Sequence, residues 1–278
     1  MTYYIDPHHG SADADGLSPE RAKLTYIDLS LMPGDSVLFR RGSFVRDVLH
    51  LKSGVQDAPI TYGAYGEGEN PIFCGSVDVS DPAMWKEISP NIWQYNGETV
   101  DEVCNFIFDN GRVGATLRWD KEALCAQGDW YDSCIGYHES HGGQKPEQHE
   151  VFLWSDGNPG EAYSHIECAV WGKRQLAVNY NWTVTEDLCF YGSGVHAMAG
   201  GADNVVIRRC SFCFIGGSVW NKALKIRFGN AIEFWDHGEN NLIEDCYFNN
   251  IYDSCITHQG EHLTVNQGVT GSSPVGGA

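Results

Sequence analysis

Two stretches of the chain carry the same apolar pattern: NVVIRRCSFCFIG at Asn204–Gly216 and NLIEDCYFNNIY at Asn241–Tyr252. Four residues of the first stretch recur 36 residues later: Ile207, Cys210, Phe212 and Ile215 return as Ile243, Cys246, Phe248 and Ile251. The preceding step, from Phe190 to Phe212, is shorter. A repeat too small to bury its own apolar face must stack on its neighbours.

The difference between the two steps is an insertion. The step from Phe190 to Phe212 is 22 residues and the next is 36, and GSVWNKALKIRFGN at Gly217–Asn230 supplies the 14 extra residues. A second row of short β runs contains Val195, Ile232 and Ile256. Two or three short β runs per repeat, with Asn at a corner, predict a parallel β-helix whose equivalent side chains lie about 4.8 Å apart. The pattern of a leucine-rich solenoid is absent.

Composition favours an all-β fold and excludes some partners. Gly is abundant at 32 residues and aromatics make up 12% of the chain, which is typical of short strands separated by turns. A formal net charge of −19 argues against nucleic-acid binding and mildly against a polyanionic substrate. No apolar run is long enough to span a bilayer, so we expect no membrane partner.

The start of the chain, MTYYIDPHHG, has neither a basic nor an apolar segment typical of a signal peptide. The ten cysteines do not form the dense framework of a small secreted domain, and several lie in apolar strand patterns. These features favour a cytoplasmic protein, with a secreted protein whose signal has been removed as the alternative.

Four regions are expected along the chain. Residues 1–80 would form an N-terminal cap and the first coils, with a short helix that opens at Ser18-Pro19 and carries Leu24, Ile27 and Leu31 at helical spacing. Residues 81–180 lose the repeat and read as a β-rich inserted lobe. Residues 181–265 return to β-helix coils, and 266–278 form a tail that does not look native to the fold.

Three segments resemble a known family: YYIDPHHGSADADGLSPERA at Tyr3–Ala22, APITYGAYGEGENPIFCGS at Ala58–Ser76, and GNAIEFWDHGENNLIEDCYFNNIYDSCITHQG at Gly229–Gly260. In these segments the sequence resembles right-handed parallel β-helix proteins that act on polysaccharides. Such proteins include glycoside hydrolases and polysaccharide lyases, and some interrupt the helix with a β-sandwich lobe. The resemblance implies a carbohydrate-active protein with a polysaccharide or oligosaccharide as substrate. The shared motifs identify the fold better than the reaction.

Strand alternation places a row of polar residues on the outside of the helix. With Ile232 and Ile256 directed into the core, Glu233 and Thr257 would point outward from adjacent coils. His196, beside inward Val195, would extend this row on the preceding coil. The row thus offers an imidazole and a carboxylate, and a parallel row two residues further along offers an indole.

Glycoside hydrolysis needs two carboxyl groups, about 5–5.5 Å apart for retention and 6.5–9.5 Å apart for inversion. Glu233 as nucleophile or base and Asp253 as acid are the preferred pair. The sequence departs from some β-helix glycosidases at Thr257, where those carry a second carboxylate. Six further residues would bind the sugar or tune the carboxylates: His196, His258, Trp235, Trp220, Asp236 and Gln259.

Structural roles compete with several of these assignments. Asp253 alternatively caps a turn, His258 alternatively faces inward as a satisfied histidine, and Trp235 alternatively covers the flank of the helix. An outward carboxylate at Glu233 has no packing role, which favours a functional one.

No cofactor or metal is expected. Asp13-Ala14-Asp15-Gly16 resembles the start of a calcium loop but lacks the later ligands, so a plain turn is favoured over calcium. His138, His141 and His149 lie in a polar stretch that reads as a solvated loop, with zinc as the alternative.

Two other functions stay open beside hydrolysis. A polysaccharide lyase needs a cationic or phenolic base, which Lys222, Lys225 or Arg227 could supply, although the acidic composition argues against it. The third function is glycan binding by a non-catalytic or truncated, inactive protein.

The tail 266–278 suggests translated transfer RNA gene sequence. Thr270–Val275 can be encoded as ACA GGT TCG AGT CCT GTN, in which complementary flanks enclose a loop like that of a T-arm. The alternative is an ordinary Gly/Ser/Pro tail. On the first hypothesis the β-helix is truncated at its C-terminus, and its open end would favour edge pairing.

Overall fold

The computed structural model describes residues 1–97, 101–138, 146–236 and 238–259, and within them the chain is nearly all β. The predicted all-β class is therefore confirmed. The tail hypothesis for 266–278 and the third histidine of the polar stretch, His141, lie outside the described residues. The short helical segments of the described part are one α-helix, α1 (Pro159–Ala162), and the 3₁₀ turns Pro19–Arg21, Pro82–Met84, Asp109–Gly111, Lys121–Ala123 and Trp171–Lys173.

The strands are short, most of them three to five residues. In chain order they are β1 (Thr2–Ile5), β2 (Ser36–Arg40), β3 (Phe44–Val45), β4 (Ile60–Tyr65), β5 (Ile72–Cys74), β6 (Ser76–Asp78), β7 (Trp85–Ser89), β8 (Ile92–Tyr95), β9 (Val103–Phe108), β10 (Thr116–Leu117), β11 (Asp129–Asp132), β12 (Val151–Trp154), β13 (Ile166–Val170), β14 (Gln175–Val178), β15 (Thr183–Glu186), β16 (Cys189–Tyr191), β17 (His196–Ala199), β18 (Val206–Arg208), β19 (Ser211–Ile215), β20 (Ser218–Asn221), β21 (Ile226–Phe228), β22 (Ile232–Trp235), β23 (Leu242–Glu244), β24 (Tyr247–Ile251) and β25 (Ile256–Gln259).

Three parallel sheets make up the main body. Sheet A has the order β1-β2-β4-β15-β18-β23, sheet B has β3-β5-β16-β19-β24, and sheet C has β14-β17-β22-β25. From β15 onward each pass of the chain contributes one strand to sheet A, then one to sheet B, then one to sheet C. The ladders hold the predicted register, because Phe190 pairs with Phe212 and Phe212 pairs with Phe248.

The core lies between these sheets. Each pass of the chain contributes apolar side chains to it, and equivalent side chains of successive passes form rows. A stack of phenylalanines runs through it: Phe190 and Phe212 are 5.3 Å apart between ring centroids at 11°, and Phe212 and Phe248 are 5.2 Å apart at 11°. Offset stacked rings add about 0.5–1.5 kcal/mol per pair beyond the burial of their area. The repeat read from the sequence is thus the repeat of the core.

Positive-φ residues mark the corners of each pass. Trp182, Asn204 and Asn240 have φ values of 57°, 58° and 56° and recur at the intervals of the repeat. Asp187, Arg209 and Asp245 form a second such series. The amide of Asn241 satisfies neighbouring backbone groups, accepting from the N–H of Val205 at 2.8 Å and donating to the carbonyl of Ala202 at 2.9 Å.

Antiparallel strands occupy the long connection between β5 and β14. Sheet D has the order β6-β13-β9, and sheet E has the order β10-β11-β12-β8-β7. Both pack on a second core that includes Phe108, Trp130 and Ile166. The 14-residue insertion forms the antiparallel hairpin β20–β21. Both insertions therefore lie where the chain passes from sheet B to sheet C.

The predicted cap helix begins where expected, with Ser18 as the N-cap and Pro19 in its first turn, but its predicted length is wrong. The helical segment ends after the single 3₁₀ turn Pro19–Arg21, and Leu24 and Ile27 are exposed. The reason is main-chain pairing with β1: the N–H of Lys23 donates to the carbonyl of Tyr4, and its carbonyl accepts from Asp6. A helix would need these groups for itself.

Asp15 belongs to the segment that resembles the start of a calcium loop. Its carboxylate accepts a hydrogen bond from the N–H of Leu17 and lies 2.6 Å from the guanidinium of Arg21, which are contacts typical of a turn. Among the described residues, no helix has the length and apolar character of a membrane span.

Candidate functional site

Glu233 lies on the outer side of sheet C. Its neighbours Ile232 and Phe234 belong to the main core, so strand alternation turns the carboxylate away from the core, as predicted. The side chain is nevertheless only 4% exposed. The indole N–H of Trp235 donates to Oε1 at 2.5 Å, and the amide of Asn230 donates to Oε2. Glu233 is thus held rigidly instead of standing in an open trough.

His196 lies beside Glu233, Asn230 and Trp235, and we call these four residues the Glu233 group. Its Nδ1 lies 3.4 Å from Oε2 of Glu233 and accepts from the backbone N–H of Asn230 at 3.2 Å. Burial lowers the pKa of His196, which favours the neutral ring with its proton on Nε2. The ring packs edge-on against Phe228, 5.7 Å away, and Trp235, 6.4 Å away.

The register of sheet C differs from the prediction at one member of the row Val195, Ile232 and Ile256. Ile232 pairs with Ile256 as expected, but its partner on the preceding pass is Met198 and not Val195. Glu233 accordingly pairs with Ala199. His196 reaches the carboxylate from three residues before Ala199. Asn230 joins the two side chains, because its N–H donates to Nδ1 of His196 and its amide donates to Oε2 of Glu233.

Asp253 lies in the turn before β25. It is exposed, and its N–H donates to the carbonyl of Gly229 at 3.1 Å, in the segment that precedes β22. The turn after Asp253 is held by Asn230, whose Oδ1 accepts from Ser254 N. Asn230 therefore connects this turn to Glu233, because its amide also donates to Oε2 of that carboxylate. The charge of Asp253 acts to raise the pKa of His196, against the larger effect of burial.

The other predicted residues occupy the last strand and the hairpin. Thr257 pairs with Glu233, His258 with inward Phe234, and Gln259 with Trp235, all on β25. Three predicted sugar-binding side chains are exposed: Asp236, His258 and Gln259. Trp220 on β20 is 41% exposed and lies on the hairpin rather than on sheet C.

Sequence reasoning missed a contribution from the antiparallel region. Trp171 stacks on His138 with centroids 4.7 Å apart at 7°, and Nε2 of His138 lies 2.7 Å from Asp101. The guanidinium of Arg174 lies 5.4 Å from the Trp171 ring. The carbonyl of Arg174 accepts from the N–H of His196, which brings this aromatic group to the beginning of β17. No sequence spacing links these residues, because a long insertion carries most of them.

His138 and His149 do not share a site. His138 bonds Asp101, whereas His149 bonds Asp132, and both side chains are mostly covered. The predicted solvated loop is therefore wrong for these two residues, since each ring has a carboxylate partner in the folded lobe.

Arg227 is engaged in structure. Its Nε donates to Gly217 O and its Nη2 to Cys104 O, each at 2.6 Å, and its guanidinium lies over the Tyr252 ring. These contacts tie the hairpin to β9. A guanidinium used in this way is poorly placed to act as a base.

A shallow hollow of about 150 Å³ lies further along the same side of sheet C. Its polar and aromatic lining includes His50, Gln175 and Tyr180. Val178, which also lines the hollow, pairs with Ala199, and Ala199 pairs with Glu233, so the hollow and the Glu233 group share one face. We call the outer side of sheet C, from this hollow to Trp235, the sheet C face.

Comparison with known proteins places the chain among carbohydrate-active relatives. The lacto-N-biosidase of Bifidobacterium longum subsp. longum is 43% identical over 77 residues, which cover 24% of this chain and 5% of that protein. XylC, solved in complex with xylose, has a TM-score of 0.57 at 13% identity, covering 90% of this chain and 54% of XylC. The GH136 lacto-N-biosidase from Eubacterium ramulus has a TM-score of 0.48 at 15% identity, covering 92% and 36%.

The chain therefore spans about half the length of XylC and about a third of the Eubacterium protein. The likeness to XylC shows the fold alone. No family model matches the chain. The resemblance inferred from the sequence is confirmed at the level of carbohydrate-active proteins, because part of the chain is similar in sequence to a lacto-N-biosidase.

Proposed function

We propose that the chain is a carbohydrate-active protein of the glycoside hydrolase type that binds a glycan on the sheet C face. In this proposal sheets A, B and C are the three faces of a right-handed parallel β-helix, and residues 81–180, apart from β14 of sheet C, form a lobe inserted into it. The pass-by-pass order of the parallel strands supports the helix, and the mostly antiparallel sheets D and E support the lobe.

One observation carries the functional proposal. A buried carboxylate, Glu233, is fixed by Trp235 and Asn230 beside a neutral imidazole, His196, on an outward face that also exposes 39% of Trp235. Indoles stack on the apolar side of sugar rings, and fixed carboxylates are the catalytic groups of most glycosidases. No packing requirement places a carboxylate between Ile232 and Phe234.

Glu233 is the nucleophile or base in this proposal, and Asp253 is the acid. His196 and His258 bind hydroxyls or orient the carboxylates, and Trp235 stacks on the sugar. The separation of the two carboxyls would decide between retention, at about 5–5.5 Å, and inversion, at about 6.5–9.5 Å.

Glycan binding without hydrolysis is the second candidate. It is favoured by the low exposure of Glu233. Elimination with Arg227 as the base is disfavoured, because this half-buried guanidinium is already bonded to two carbonyls.

A glycan screen with two readouts tests the proposal. Substrates should include glycans with lacto-N-biose units, from the biosidase relative, and xylose-containing glycans, from XylC. Released reducing sugar without unsaturated product supports hydrolysis, and unsaturated uronate indicates elimination. Binding without either product supports the second candidate, and neither binding nor product overturns the whole proposal.

Variants locate the reaction. Glu233→Gln keeps the size and one acceptor oxygen of the side chain and should reduce turnover by at least about 10³-fold, while Asp253→Asn should reduce it by about 10²-fold or more. Glu67→Gln, an exposed residue away from sheet C, is the matched control. Full activity in Glu233→Gln would place the reaction elsewhere.

A further inference from the structure

A second cluster with chemistry of its own lies in the antiparallel lobe. Asp132, the last residue of β11, Cys134, two residues later, and His149, just before β12, each direct one ligand-type atom to a common point. These atoms all lie within 4.8 Å of one another. None of the three contacts the Glu233 group.

The carboxylate of Asp132 is fully buried and firmly positioned. Its Oδ1 accepts from the N–H of Cys134 and its Oδ2 from the N–H of Val103, both at 2.6 Å. His149 Nε2 faces the two oxygens at 2.9 and 3.0 Å. Backbone donors behind a carboxylate fix its orientation, which is how outer contacts orient metal ligands.

We propose that Asp132, Cys134 and His149 form a zinc-binding site. Zn²⁺ binds thiolate sulfur at about 2.3 Å and imidazole nitrogen or carboxylate oxygen at about 2.0–2.2 Å, usually in a tetrahedron. Ligand atoms in such a tetrahedron lie roughly 3.3–3.8 Å apart. Opening the His149–Asp132 contact by about half an ångström and closing the sulfur by at most about 1.5 Å accommodates the ion.

The donor set selects the metal. A thiolate favours zinc or another borderline-soft ion over calcium and magnesium, which prefer oxygen ligands. A thiolate and a carboxylate together carry two negative charges, which Zn²⁺ neutralises in a buried position. Cys134 is 4% exposed, whereas His149 has a side chain 20% exposed, so the ion would enter from the histidine side.

The position in the fold says what the ion would do. Asp132 pairs with Val151 at the end of the β11–β12 ladder and bonds the first residue of β9, so it links sheets D and E. An ion bound there closes the base of the connection between β11 and β12. In this proposal the ion clamps the lobe that carries Trp171 and His138, and a water molecule completes its tetrahedron beside the three protein ligands.

Cobalt substitution tests the site on the full chain. The protein is treated with a chelator under reducing conditions and titrated with Co²⁺, whose tetrahedral sites absorb in the visible and whose thiolate ligands add a charge-transfer band. We expect one equivalent of Co²⁺ with both features and displacement by Zn²⁺. Absence of the thiolate band overturns the proposal.

Variants assign the ligands. Cys134→Ser and His149→Gln should each weaken binding by at least about 100-fold, while Cys255→Ser, which removes an exposed thiol outside the lobe, should leave it unchanged. Undiminished binding in the first two overturns the site. Since either variant could fail to fold, X-ray absorption of the wild-type zinc complex gives a second measurement: one sulfur with nitrogen and oxygen neighbours supports the site, and no sulfur or several sulfurs contradict it.

Discussion

The indole N–H of Trp235 donates to Oε1 of Glu233 across 2.5 Å. Residues two apart on a strand face the same side of a sheet, so β22 itself brings these two groups together. The edge of the indole that carries the N–H meets the carboxylate, while 39% of Trp235 stays open to solvent. A ligand that stacks on Trp235 therefore lies directly beside Glu233.

Replacement of Trp235 should separate stacking from hydrogen bonding. Trp235→Ala removes the ring, and glycan affinity should fall about 10-fold, since such contacts contribute about 0.5–1.5 kcal/mol. Trp235→Phe keeps a ring but loses the donor to Glu233, so affinity should fall less while turnover still drops. Titration calorimetry measures the first effect and initial rates measure the second. Tyr247→Ala, an exposed aromatic on sheet B, is the control, and equal losses there would contradict a site on sheet C.

The phenylalanine stack should dominate the stability of the main body. Phe212 is fully buried between Phe190 and Phe248, so Phe212→Ala should lower the free energy of unfolding by about 3–5 kcal/mol. Phe212→Leu should lower it by less because most of the volume is kept. Chemical denaturation followed by circular dichroism measures both. A loss below about 1 kcal/mol for Phe212→Ala would mean that the stack is not part of the core.

Glu102 should make stability depend on pH. Burial raises its pKa to about 7, helped by Asp132 and Asp101 and opposed by the N–H groups of Gly136 and His138. The folded pKa lies above the ordinary value of 4.5, so the stabilising contribution is complete below pH 4.5 and is lost as the pH rises through about 7. The loss is at most about 3 kcal/mol.

Glu102→Gln should therefore reduce the fall in unfolding free energy between pH 5 and pH 8. Comparing the two pH values in wild type and variant isolates this residue from other titrating groups. Glu122→Gln, an exposed residue of the same lobe, should leave the fall unchanged. An unaltered pH dependence in Glu102→Gln would show that Glu102 keeps an ordinary pKa.

Arg46 should anchor the lobe to the first parallel strands. It follows β3 and donates to both oxygens of buried Glu167 on β13, at 2.9 and 2.6 Å. Arg46→Ala leaves that carboxylate without its cation, and we expect a loss of about 3 kcal/mol, the lower part of the range for breaking a buried pair because Arg46 is partly exposed. The double variant Arg46→Ala with Glu167→Gln should recover part of it, and a double variant as unstable as the sum of both single variants would rule out the coupling.

The parallel ladders could be predicted because the apolar residues that form the core recur in the sequence at the intervals of the repeat. Phe190, Phe212 and Phe248 repeat at intervals that only stacked strands explain. The register of β17 could not be predicted, because Val195 and Met198 are both apolar and only the hydrogen bonds choose between them. Helical spacing near Leu24 misled for a similar reason: pairing with β1 overrode a weak local preference.

Only part of the candidate site could be predicted from the sequence, for another physical reason. Glu233 stands out since it interrupts an apolar strand, but its burial depends on Asn230 and Trp235, whose side-chain directions no pattern gives. Trp171, His138 and the Asp132–Cys134–His149 cluster come together through turns of the inserted lobe. Contacts of this kind follow no periodic pattern in the amino-acid sequence.

Both excursions from the parallel framework begin at the passage from sheet B to sheet C, after β5 and after β19, and each rejoins the next strand of sheet C in register. The other two corners keep short turns with left-handed residues at fixed spacing. A lineage built this way can lengthen, shorten or exchange the segments that border the sheet C face while the scaffold hydrogen bonds stay the same. Ligand preference is then free to diversify without refolding the body that presents it.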